Sequence, residues 1–193
     1  MSVRVVDQFL AAQSHEQVSA YLRGPGWAYG AFSDPETRGV RYWYKHFAGL
    51  VLKAEEAGND PESAEAQLAA FPPIAAMWEA IRSSFLPGYE LIRCYANGYP
   101  YGADGGVHID ADVPGHVTAL YFAHPRWEPN WGGETVFFDS DRQDVVATAY
   151  ARPNRLVLFP GDLPHVARGV SRACEELRIT LMFKARERGA AGA

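Results

Sequence analysis

Leu156-Val157-Leu158-Phe159-Pro160-Gly161-Asp162, followed by His165, reads as an apolar strand running into a turn with an imidazole behind it. Upstream, His108-Ile109-Asp110 sets an imidazole and a carboxylate at i and i+2, which project to one face of an extended segment. Two imidazoles and one carboxylate are the ligand set of the facial triad that holds Fe(II) and leaves coordination positions open. His165 lies 55 positions beyond Asp110, so the fold must bring a second strand alongside the first. H-x-D is by itself a short pattern. Its weight comes from the strand and turn before His165 and from Arg178-Ile179-Thr180, which begins 13 positions after it. Asp112 would share a strand face with Asp110 and is its local rival.

From Tyr89 onward, short β-prone runs alternate with turn residues. The expected strands are Tyr89–Tyr95, Val107–Ile109, Val117–Phe122, Thr135–Phe138, Val145–Ala149, Arg155–Phe159, Val166–Arg168 and Leu177–Phe183. This pattern behind a helical layer predicts an α+β, mainly β fold, a double-sheet jelly roll (double-stranded β-helix) with N-terminal supporting helices. The first half is mixed. Val3–Val6 reads as a strand, Ser14-His15-Glu16-Gln17 as a capping box opening a helix that Gly24-Pro25 ends, and Val40–Tyr44 as extended. Asp60-Pro61-Glu62 has the form of a helix start. Pro72-Pro73 should break that helix, with another from Ile74 to Phe85 presenting Met77, Trp78 and Ile81 on one face. The domain expectation is one unit over 1–193, helix-rich support to about 88 and a jelly-roll core over 89–184.

Six stretches occur in a telling order: Arg93-Cys94-Tyr95, His108-Ile109-Asp110, Val117 to Phe122, Trp131 to Phe138, Leu158 to Gly161 ending at His165, and Arg178-Ile179-Thr180-Leu181. On these the sequence resembles the Fe(II)/2-oxoglutarate-dependent dioxygenases, within them the prolyl-4-hydroxylase-like branch. The resemblance covers residues 89 to 184 and is only generic before that. It implies Fe(II) held by His108, Asp110 and His165, with 2-oxoglutarate and O2 as cosubstrates and ascorbate as a candidate auxiliary reductant. It also implies hydroxylation of an unactivated sp3 carbon with release of succinate and carbon dioxide. Halogenating relatives lack the ligating carboxylate; Asp110 is present here.

Arg178 is the candidate for the distal carboxylate of 2-oxoglutarate, because a guanidinium offers planar, bidentate donors and opens an otherwise apolar strand. Thr180 would face the same side and add a hydroxyl. The stretch Ala173-Cys174-Glu175-Glu176 lengthens the usual gap after the distal histidine, which leaves Arg168 and Arg172 as competitors. Tyr95 stands where the resemblance places a 2-oxoglutarate-binding phenol, and an ordinary half-buried strand tyrosine is the alternative. Thr118, Tyr121 and Phe122 alternate without revealing which face looks inward. Gly132-Gly133 reads as a pocket rim or a hairpin corner, and Trp127 and Trp131 as covers of a substrate mouth or as core caps. His116 and His124 read as structural, His15 and His46 carry no signal, and Cys94 and Cys174 read as buried thiols.

Hydrophobic residues make up 48% of the 193 and aromatics 13%, enough for one domain with a sizeable core. A formal charge of −5 lacks the electrostatic footprint of a nucleic-acid binder. Two cysteines make no disulfide framework and fit a cytoplasmic location. Residues 1–7 show no signal-like apolar stretch, nothing approaches the roughly 18 apolar residues of a membrane span, and the Ala/Arg/Gly-rich tail from Arg186 reads as a frayed end. The expectation is a small-molecule or carrier-bound substrate (an amino acid or metabolite), no nucleic-acid or membrane partner, and a monomer or homodimer. The rivals are a peptidyl-prolyl or other protein hydroxylase and a non-catalytic, metal- or 2-oxoglutarate-sensing jelly roll.

Overall fold

The β-prone runs become antiparallel strands in a computed structural model that describes residues 2–33, 40–49 and 63–189. In chain order the elements are β1 (Arg4–Val6), α1 (Ala12–Arg23), β2 (Ala28–Ala31), β3 (Tyr42–Gly49), α2 (Ala64–Leu68), α3 (Pro72–Phe85) and β4 (Tyr89–Tyr99). They continue with β5 (His116–Phe122), β6 (Thr135–Phe138), β7 (Val145–Ala149), β8 (Arg155–Pro160), β9 (His165–Ala167) and β10 (Arg178–Glu187). A seven-stranded sheet runs β1-β8-β5-β10-β4-β3-β2, and a three-stranded sheet runs β7-β6-β9. These two antiparallel sheets form a mainly β, jelly-roll architecture.

β10 sits between β4 and β5, with Thr180 opposite both Asn97 and Phe122. Strand periodicity sorts its side chains onto two faces. Ile179, Leu181, Phe183 and Ala185 enter a core with Leu22, Ile74, Met77, Trp78 and Ile81 from the helices. Arg178, Thr180, Met182 and Lys184 face a cavity instead. The helical layer therefore backs the strand whose other side carries polar chemistry.

The first half departs from the expectations in two places. α1 begins at Ala12 with Ala11 as N-cap and no side-chain cap, so Ser14 lies inside the helix rather than at its start. The chain just before it is clamped by Asn154, whose side chain accepts from Leu10 N and donates to Leu10 O. Pro72 and Pro73 open α3 rather than precede it, because proline lacks only an amide the first turn would leave unpaired. The expected strand at Val3–Val6 and the extended run at Val40–Tyr44 appear as β1 and β3, which with β2 extend the large sheet. Met77, Trp78 and Ile81 do lie on the buried face of α3. The Asp60-Pro61-Glu62 start lies outside the described residues. At the other end Arg186 and Glu187 finish β10, and residues 190–193 are outside the described set.

Candidate active site

Residues 107–109 form no strand. A glycine-rich approach leaves one isolated bridge, in which His108 N donates to His165 O at 3.0 Å and His165 N to His108 O at 2.9 Å. Two steps on, Asp110 N and Ala111 N both donate to Gly161 O, at 2.8 and 3.0 Å. Gly161 is needed there: a Cβ would sit 3.0 Å from His116 Cβ and 3.2 Å from Ala111 Cβ. The turn after β8 thus anchors the carboxylate segment, and β9 carries the distal imidazole.

This brings His108, Asp110 and His165 together, with one ligand atom from each within 4.8 Å of the others. His108 Nε2 is 3.7 Å from Asp110 Oδ1, and His165 Nε2 is 3.6 Å from Asp110 Oδ2. The opposite nitrogens are fixed by the backbone: His108 Nδ1 lies 2.8 Å from Gly106 O and His165 Nδ1 2.9 Å from Leu163 O. A carbonyl only accepts, so each Nδ1 carries the proton and each Nε2 keeps its lone pair towards Asp110. Burial holds the His165 pKa down to about 4, which keeps the ring neutral as a ligand must be. Burial opposes ionisation of Asp110, but Lys184 and the two imidazoles overcome it and hold the carboxyl below its usual range. Two neutral imidazoles and an anionic carboxylate with converging lone pairs fit a divalent metal such as Fe(II). Asp112 is exposed and outside this cluster.

Arg178 is the other polar landmark, 1% exposed. Its Nε donates to Gly133 O and its Nη2 to Thr135 Oγ1 at 3.0 Å, both neutral acceptors. No described carboxylate pairs with it. Burial lowers its pKa to about 10, so it stays cationic at neutral pH. The Gly132-Gly133 corner explains how it fits. Gly133 has φ +77°, and a Cβ there would meet Arg178 Cδ at 3.0 Å. Gly133 seats the guanidinium rather than framing a mouth. Trp127 and Trp131 belong to the core beside them, with Trp127 Nε1 donating to Gly132 O. Arg168 and Arg172 lie outside the cavity.

Both landmarks open into one cavity of about 460 Å³. Tyr95 and Thr180 line it between them, Tyr95 half-buried and Thr180 2% exposed. On β5, Thr118 and Leu120 face the cavity while Tyr121 turns to the helical side, its hydroxyl donating to Asn154 Oδ1 at 3.0 Å. His116 and His46 also border it. His124 does not; it is buried against Trp127, and neither of its nitrogens has a hydrogen-bond partner among the described residues. Cys94 and Cys174 are buried free thiols.

Lys184 is the residue that sequence reasoning missed. It is 9% exposed, forms an ion pair with Asp110 Oδ2, and donates to Thr118 Oγ1 at 3.0 Å. Thr118 Oγ1 in turn donates to Asp110 Oδ2 at 2.6 Å. The signal was the alternation already used for Arg178 and Thr180; carried two steps further, it reaches Met182 and Lys184.

Residues 93–184 match the family model described as the 2OG-Fe(II) oxygenase superfamily. No curated protein matches the sequence. Among solved structures, a Pseudomonas putida prolyl-4-hydroxylase is similar with TM-score 0.62 and 20% identity, over 97% of this chain and 94% of that one. A Trichoplax adhaerens prolyl hydroxylase, in complex with a hypoxia-inducible-factor peptide fragment, is similar with TM-score 0.63 and 16% identity, over 98% and 85%. HygX from Streptomyces hygroscopicus, with nickel and 2-oxoglutarate bound, is similar with TM-score 0.62 and 13% identity, over 97% and 84%. The match spans the H-x-D segment, the distal histidine and the whole inward face of β10 up to Lys184, so that over residues 93–184 the chain is similar to the 2OG-Fe(II) oxygenase superfamily, whose dioxygenases use Fe(II), 2-oxoglutarate and O2.

Proposed function

We propose that this dioxygenase hydroxylates an unactivated sp3 carbon of a small molecule, with His108, Asp110 and His165 holding Fe(II) and Arg178, Thr180 and Tyr95 holding 2-oxoglutarate. The observation that carries the reading is the buried guanidinium of Arg178, bonded only to neutral oxygens, in the same cavity as the three converging ligand atoms. A buried cation without a counter-charge is costly, and a carboxylate brought by the cosubstrate relieves it. Fe(II) bound at the triad, with 2-oxoglutarate and O2, supplies the oxidising power, and succinate and carbon dioxide leave.

The chain's own part is placement. Arg178 fixes one end of 2-oxoglutarate, and Thr180, two residues along the same face, offers a hydroxyl beside it. Tyr95 walls the space between Arg178 and the triad, and burial raises its phenol pKa, so it remains a hydrogen-bond donor. The fixed Nδ1 protons of His108 and His165 keep the ligand atoms pointed without further reorganisation. A cavity of about 460 Å³ is of the size that encloses small organic ligands. The competing reading, a peptide or protein substrate, is favoured by the half-exposed Tyr29 and Trp43, rings 5.3 Å apart on the edge strand β2 and its neighbour β3.

The test is binding and uncoupled turnover together. Arg178→Ala should weaken 2-oxoglutarate by at least tenfold, roughly 2–5 kcal/mol for a stranded carboxylate, with little change in iron content. His165→Ala should lower iron occupancy and abolish succinate formation. Retention of wild-type iron and uncoupled 2-oxoglutarate decarboxylation by His165→Ala would refute the site. Stimulation of succinate release only by folded protein or peptides would move the substrate to the macromolecular class.

A further inference from the structure

The cavity holds more positive charge than the proposed cofactors use. Among its described lining residues, Arg93, Arg178 and Lys184 face a single carboxylate, Asp110. Adding a divalent metal and doubly charged 2-oxoglutarate leaves that surplus as it was. Asp110 is already bonded by Lys184 and Thr118, and Arg178 has its role. The unassigned cation is Arg93.

Its setting is built rather than incidental. Arg93 lies on β4 two residues before Tyr95, so both project to the cavity, and its guanidinium stacks over the Tyr95 ring at 4.3 Å. In the sheet register it stands directly opposite Lys184 of β10. Like charges opposed across a strand pair repel, and the local acid is taken. The Nε of Arg93 is shielded from solvent without a hydrogen-bond partner, and Arg93 forms no ion pair with a described residue. A half-buried, stacked guanidinium with an idle Nε donor, opposite a lysine in the register, is arranged for an anion.

We infer that Arg93 is a specificity residue that binds a carboxylate on the organic substrate, so that the enzyme acts on small carboxylic acids rather than on neutral molecules. The inference rests on the oxygenase reading of this pocket. Charge places the acid end at Arg93, across the strand from Lys184. The apolar part of the substrate then lies along the aromatic wall formed by Tyr29, Phe32 and Tyr44.

The experiment compares two neutral-bodied probes, 4-phenylbutyrate and 4-phenylbutyramide, which differ only in the charge of the head group. Both are titrated calorimetrically into protein loaded with Mn(II) and saturating 2-oxoglutarate under nitrogen, which fills the Arg178 site beforehand. Wild-type protein should bind the carboxylate about tenfold tighter than the amide, the effect of one charge-assisted contact. Arg93→Gln should erase that preference, and Arg93→Lys should keep part of it. Mn(II) and 2-oxoglutarate titrations of each variant report separately that the pocket is intact. Equal binding of the two probes, no saturable binding of either at millimolar concentration, or a preference that survives Arg93→Gln overturns the inference. A wild-type protein that takes up Mn(II) but not 2-oxoglutarate overturns the oxygenase reading, and this inference with it.

Discussion

Lys184 exchanges bonds with Asp110 and Thr118 in a pocket where none of the three is well solvated. Removing one partner of such a pair strands the other charge, at a cost of about 3–5 kcal/mol. Lys184→Met should therefore lower the stability of metal-free protein by about 3 kcal/mol. A divalent cation at the triad replaces the missing counter-charge, so the rise in melting temperature on adding Mn(II) should be larger in Lys184→Met than in wild type. Calorimetric melting with and without Mn(II) reads both numbers; an equal metal-induced rise would show that Lys184 does not share the carboxylate with the metal.

Among elements, the corner between the Trp131 turn and β6 decides how Arg178 is presented. Gly133→Ala would put a methyl group against Arg178 Cδ and force a residue with φ +77° into a strained conformation. Its 2-oxoglutarate affinity should drop about tenfold, with metal uptake unchanged, although position 133 touches neither ligand. Trp131→Ala should act differently. Trp131 is 4% exposed and packed edge-on against Trp127, so its loss should cost about 3–5 kcal/mol of stability while folded protein keeps its substrate preference. Chemical denaturation and a 2-oxoglutarate titration on the two variants separate these effects. This corner also marks how far the sequence could be read. Paired glycines announced a tight turn, and the H-x-D and distal histidine announced a meeting of segments. That Gly133 O would accept from Arg178, 45 positions away, depends on how the small sheet folds over the large one, and no local pattern encodes that. The same holds for Trp127 and Trp131, whose aromatic character is equally at home on a rim and in a core. The start of β10 was legible because Arg178 and Thr180 alternate with apolar Ile179 and Leu181, whereas the start of α1 was not, because a clamp from distant Asn154 sets it.

For the molecule as a whole, acid should be damaging. Burial holds His124 at about 3 and His165 at about 4, against 6.5 for a free imidazole. As pH falls below 6.5 the unfolded chain takes up these protons while the folded chain does not, so stability is complete above 6.5 and is lost progressively down to about 4. Burial lowers His15 and His46 in the same direction, and for His46 the nearby Arg93 adds to it. Melting of chelator-treated protein from about pH 7.5 to about pH 4, a range set around the ordinary histidine value, should therefore show a falling midpoint. His124→Phe, which also removes two unpartnered buried nitrogens, should flatten part of that fall and raise stability at about pH 5 by about 1 kcal/mol. A midpoint that does not move with pH would contradict the buried neutral state of these rings.

The position of β10 has a consequence for how the protein comes to exist. It is the last described strand in the chain, yet it lies between β4 and β5 in the large sheet. During synthesis those two strands emerge early and wait, each with an unpaired edge, for partners 58 residues downstream (Phe122 to Thr180) to 98 residues downstream (Tyr89 to Glu187). Pairings so distant in sequence close slowly, and open edges are where chains associate wrongly. Because Arg178, Thr180 and Lys184 arrive on that same strand, the binding pocket and the finished sheet come into being in one event: a ribosome-bound chain halted before Arg178 has neither.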